Sequence, residues 1–98
     1  MSIEDTLEQR GSVYGEFSVQ VETVSMIIVA MAECYEKNRG VHPSVKIITE
    51  WEYLAIKLAR IAANPDYTDS YHDLAGYATL MERERLPKPP PSLVETGV

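Results

Sequence analysis

Between Phe17 and Tyr35 the apolar residues Phe17, Val21, Val24, Ile28, Met31 and Tyr35 recur at steps of four and three. That spacing puts them on one face of a helix and predicts a long helical element from about Glu16 to Asn38. Val, Ile and Thr are frequent here and favour strands, but so long a run without a turn former decides for helix. Lys37 and Arg39 near its end and Gly40 just beyond form a stop signal. A second periodic stretch opens at Pro43, a favoured first helical position, and runs to about Ala63. Ile47, Ile48, Trp51, Leu54, Ala55, Ile56, Leu58, Ile61 and Ala62 cover most of its circumference. What remains is a narrow polar stripe of Lys46, Glu50, Tyr53, Lys57, Arg60 and Asn64. A helix apolar on nearly every side belongs at the centre of a bundle or in a subunit interface.

Shorter elements flank these two. Ser2 is placed to cap a first helix with Glu4 and Asp5 in its opening turn, where the helix dipole favours carboxylates. This helix is expected to run to about Arg10 and to be broken by Gly11 and Gly15, leaving Ser12, Val13 and Tyr14 in a loop. Asn64-Pro65-Asp66 ends the third helix, since proline pushes its predecessor out of the helical region. Thr68 then caps a fourth helix that reaches about Arg85. The prolines at 87, 89, 90 and 91 end it. The pattern is all-α: a small helical bundle with a long second helix and an antiparallel hairpin of the third and fourth. Residues 1–86 form one helical domain, and residues 87–98 form an extended proline-rich tail, either disordered or laid on a neighbour.

Length and charge narrow the picture further. A chain of 98 residues is one domain, and at that size it hides only about 60–70% of the surface its unfolded form exposes. With a single cysteine, Cys34, it has no internal disulfide to compensate, so a homo-oligomer, and specifically a dimer, is expected. Fifteen carboxylates against nine Lys and Arg give a net charge of −6. That speaks against nucleic acid as a partner, because binding its backbone needs clustered cations. The N-terminus has neither the basic nor the apolar segment of a leader. The longest unbroken apolar run, Met26 to Ala32, is too short to span a bilayer. A cytoplasmic protein without a membrane partner is expected.

The chemistry-bearing residues gather at the predicted hairpin. Pairing positions symmetrically about Pro65 sets Lys57 opposite Asp73, Arg60 opposite Asp69 or Ser70, and Tyr53 opposite Gly76, whose missing side chain would admit a close approach. The cluster reads either as ion pairs that fix register or as a site where Lys57 and Arg60 hold an anion, with Tyr53, Tyr67 or His72 alongside. Arg10 and Tyr14, in a loop bounded by glycines, are a second candidate binding pair. No catalytic set is complete. His72 has no serine or cysteine partner at readable spacing, and Ser12 lacks the glycines and lysine of a phosphate loop. No cofactor is implied by these residues.

Two stretches carry a resemblance. The run Lys57-Leu58-Ala59-Arg60-Ile61, then Asn64-Pro65-Asp66, Asp69-Ser70 and Asp73-Leu74-Ala75-Gly76-Tyr77-Ala78, resembles a small phage and prophage protein family of unknown function. Arg10 with Tyr14-Gly15-Glu16-Phe17 is similar to the same family's opening motif. The resemblance implies a phage or prophage origin and carries over no activity. More distantly, the chain is similar to the all-α nucleotide pyrophosphohydrolases of the MazG type, which hold Mg²⁺ between acidic pairs on facing helices. On that reading Glu33, Glu36, Asp69 and Asp73 are the metal ligands. The two pairs lie at opposite ends of a helix roughly 30 Å long, so only an oligomer could bring them together. The expectation is therefore a non-enzymatic phage accessory protein that binds a host protein or a small anionic, nucleotide-like ligand and so modulates host defence. The alternatives are a divergent Mg²⁺-dependent pyrophosphohydrolase and a structural adaptor that docks through its tail.

Overall fold

In a computed structural model, which describes residues 2–87, the chain forms α1 (Ile3–Tyr14), α2 (Phe17–Arg39), α3 (Val45–Ala63) and α4 (Thr68–Arg85). No strand occurs among the described residues. The all-α bundle with a long second helix and a tight α3–α4 hairpin is as the periodicity requires. Most of the expected tail, from residue 88 onward, lies outside the described residues.

The helix ends differ from the sequence reading in ways that capping chemistry explains. At α1, Ser2 and Asp5 form a reciprocal capping box, as the opening residues suggested. The helix then continues through Gly11 to Tyr14 instead of stopping at Arg10. One glycine weakens a helix by only about 1 kcal/mol, which is too little to break it against tertiary contacts. The break falls at Gly15, whose φ of 85° is open to glycine and costly for other residues. Pro43 precedes α3 instead of opening it: Ser44 is the N-cap, its hydroxyl accepting from the Ile47 amide at 3.2 Å, and Pro43 itself is buried. At α4 the cap position falls to Tyr67, with Thr68 the first helical residue and no side-chain cap formed. Gly40 ends α2 in the left-handed conformation at φ 73°, as a C-terminal glycine does.

α3 is the centre of the molecule. α2 packs on one side of it and α4 on another, and α1 crosses α2 and α3; among the described residues the helix axes of α2 and α4 do not come together. α2 runs antiparallel to α3, so that the Gln20 amide donates to the Ala59 carbonyl at 3.1 Å at one end while Tyr35 meets Trp51 edge to face at 5.9 Å at the other. The arrangement is a layered array around one helix, not a closed barrel of helices, and it hides little. Among the described residues Ala55 and Ala59 are buried within α3, Pro43 just before it and Ser70 on α4, and no large side chain is fully enclosed.

The predicted apolar seam of α2 is therefore only partly covered. Val24, Ile28, Met31 and Tyr35 are half-buried on α3, whereas Phe17 stays 82% exposed and Val21 47% exposed, because α3 ends beside Gly15 and leaves that stretch uncovered. Among the described helices α2 alone is long and apolar enough to cross a membrane by length and composition, a test that the core helix of a soluble protein also passes. The packing of one α2 face on α3, with Gln20 hydrogen-bonded across the contact, makes it a helix of the bundle.

A methyl group at Gly15 would sit 3.1 Å from the Ala63 side chain on a backbone that only glycine adopts freely. Gly15→Ala should destabilise the fold by about 1–3 kcal/mol, measured by urea denaturation monitored by circular dichroism.

Candidate functional site

The turn Asn64–Tyr67 folds α4 back along α3, closed by the Tyr67 amide donating to the Asn64 carbonyl at 3.2 Å and the Tyr71 hydroxyl donating to the Pro65 carbonyl at 2.8 Å. The register about Pro65 then places the expected pairs. Lys57 Nζ lies 3.1 Å from Asp73 Oδ2, with the lysine stem largely covered and the ammonium 5.8 Å from the centre of the Tyr77 ring. Tyr53 meets Tyr77 at 5.2 Å between ring centres, one position beyond the expected Gly76. Nothing approaches within 4 Å of where a Gly76 side chain would be, so this glycine accommodates no close contact. Further along the hairpin Arg85 Nη2 binds Glu50 Oε2 at 2.6 Å. That pair was not anticipated, since it departs from the symmetric register and depends on the reach of the arginine.

Arg60 departs from expectation most. Its guanidinium does not pair with Asp69 but lies over the Tyr14 ring, 4.3 Å from the ring centre. The position across the hairpin from Arg60 is taken by buried Ser70. Asp69 interacts with the side chain of Tyr67, through hydrogen bonding first and then charge, and this raises the Tyr67 phenol above its ordinary pKa. Lys57 and Arg60 therefore point into different surroundings, and the expected four-residue cluster is divided in two.

What α3 gives up at the hairpin it delivers to an open cleft of about 780 Å³ between α1, the start of α2 and α3. Because α1 extends to Tyr14, Arg10 and Tyr14 sit one helical turn apart on a rigid element instead of in a loop, with the Arg10 guanidinium 5.6 Å from the Tyr14 ring centre. Tyr14 also meets Tyr67 edge to face at 6.0 Å, which ties the cleft to the hairpin turn. Leu7, Phe17, Val21, Val24 and Ile56 form the apolar wall. The lining holds two guanidinium groups, Arg10 and Arg60, and no carboxylate, in a chain of net charge −6. The sequence signalled Arg10, Tyr14 and Arg60 separately. The three-dimensional packing places them together.

The acidic residues do not assemble into a metal centre within one chain. Glu33 and Glu36 are exposed near the end of α2, where Glu36 contacts His42, while Asp69 and Asp73 lie at the opposite end of the bundle on α4. No group of three or more metal-ligating side chains occurs among the described residues.

Two measurements separate the hairpin's parts. A double-mutant cycle on Lys57→Ala and Asp73→Ala should return a coupling of about 0.5–1 kcal/mol, the range for a pair with one exposed member. Gly76→Ala should raise stability by about 0.5–1 kcal/mol, since it replaces a helical glycine that has open space around it; thermal unfolding reads both.

A family model described as a domain of unknown function, DUF6378, matches residues 5–85, and the chain belongs to that family. Neither a curated protein nor a solved structure matches it.

Proposed function

We propose that this DUF6378 domain works by binding, holding a small anionic, nucleotide-like ligand in the α1–α2–α3 cleft, as a phage or prophage accessory protein in the bacterial cytoplasm. The observation that carries the reading is the composition of the cleft: Arg10 and Arg60 beside Tyr14, an apolar wall including Phe17, and no carboxylate in the lining. On a protein of net charge −6 most of the surface repels anions, so a recess furnished only with cations is where one would settle. Guanidinium groups bind phosphate or carboxylate oxygens in a bidentate manner, and Arg60 is already held against an aromatic face that fixes its plane. The apolar wall suits a flat, weakly polar moiety attached to the anionic group. Origin in a phage or prophage rests on the motif resemblance around Lys57–Ile61, Asn64–Asp66 and Asp73–Ala78.

Isothermal titration with inorganic phosphate and a panel of nucleoside mono-, di- and triphosphates tests the reading. Binding of at least one member is expected. Arg10→Ala and Arg60→Ala should each weaken it about 10- to 100-fold, the loss of one charge-assisted contact, and Lys57→Ala should leave it unchanged. A folded protein that binds none of them, or binds through Lys57 and not Arg60, overturns the assignment. Release of pyrophosphate in the presence of Mg²⁺, abolished by Glu33→Gln and Asp73→Asn, would favour instead a pyrophosphohydrolase whose acidic pairs meet across subunits.

A further inference from the structure

The outward side of α2 is left uncovered once the cleft and the α3 contacts are assigned. At about 100° per residue, Val19, Met26, Val29 and Ala30 lie on the side of α2 opposite Val24, Ile28 and Met31, which face α3. Val19 is 54% exposed, Met26 66% and Val29 57%. Glu22, Glu33 and Lys37 share this outward side, and Glu22 and Lys37 stand seven residues before Val29 and seven after Ala30.

We propose that this face pairs with the same face of a second copy, the two α2 helices running antiparallel about a two-fold axis between Val29 and Ala30. The charge placement selects a second copy over an unrelated partner. In this register Glu22 of each chain meets Lys37 of the other, so two ion pairs close the ends of a strip of Met26, Val29 and Ala30 that Glu33 enters from each chain. Met26 lies over the methylene stem of the opposite Glu33. The helices overlap from Gln20 to Arg39, nearly the whole of α2, so the contact is long. A bundle that fully encloses no large side chain among the described residues gains from it the buried apolar area that its own layered packing lacks. An isologous contact of this kind needs nothing but more of the same chain. Phe17, Gln20, Val21 and Val24 line the cleft from another side of α2, so the cleft stays open in the pair. The pairing does not depend on what the cleft binds.

Sedimentation equilibrium of the full chain tests it. A dimer is expected, with Glu22→Lys and Lys37→Glu each raising the dissociation constant about tenfold, as attraction becomes repulsion at both ends. The double variant Glu22→Lys/Lys37→Glu should restore it. In a Cys34→Ser background, Ala30→Cys lies next to the axis and should form an intermolecular disulfide under mild oxidation. A chain that stays monomeric overturns the proposal. So does a dimer that Glu22→Lys leaves unchanged, that the double variant fails to restore, or in which Ala30→Cys does not cross-link.

Discussion

The structure depends on α3 being narrow where its neighbours press on it. Ala55 and Ala59, four residues apart on one face, have almost no exposed surface, and the Ala59 carbonyl is near enough to α2 to accept from Gln20. Small side chains let helix backbones approach closely, and here that approach holds α2, α3 and α4 in one layered array with α1 across it. A bulkier residue at either alanine would force its neighbours apart and undo the arrangement, since over-packing a tight contact is itself destabilising.

That architecture has a consequence for surfaces. A bundle organised around one central helix covers only part of α3 and leaves the outer sides of the flanking helices uncovered, so apolar residues of α1 and α2 remain at the surface. On one side of α2 they combine with Arg10, Tyr14 and Arg60 into a recess that is cationic in an otherwise acidic protein. On the other side they form a strip bounded by opposite charges. The first is the surface proposed to hold a ligand, and the second the one proposed to pair with a second copy.

The hairpin shows how far a register argument reaches. Lys57 and Asp73 meet as expected because a four-residue turn leaves two antiparallel helices little freedom to slide, so symmetry about Pro65 predicts neighbours. The same symmetry set Arg60 opposite Asp69 or Ser70, and the ion pair with Asp69 does not form. Arg60 is also within reach of Tyr14, where its guanidinium lies on an aromatic face. Pairing within one hairpin does not take account of a third helix. The glycines went astray for a related reason. Gly11 was read as a helix breaker and Gly76 as a close-approach site. Gly11 lies within α1, and neither has another atom within 4 Å of an added side chain. Composition records that a side chain is missing and not what surrounds the gap.

By itself the sequence determined the four helices, the length of the second, the C-terminal stop at Gly40, the hairpin and its Lys57–Asp73 pair. All of these follow from periodicity, capping and short-turn geometry, which act over a few residues. Only the tertiary structure decided that α1 runs on to Tyr14, that Arg60 leaves the hairpin for the α1–α2–α3 cleft, and that one side of α2 remains uncovered. Those outcomes depend on contacts between residues as distant as Tyr14 and Arg60. The energies of such contacts depend on which surfaces meet, and no local pattern along the chain encodes that.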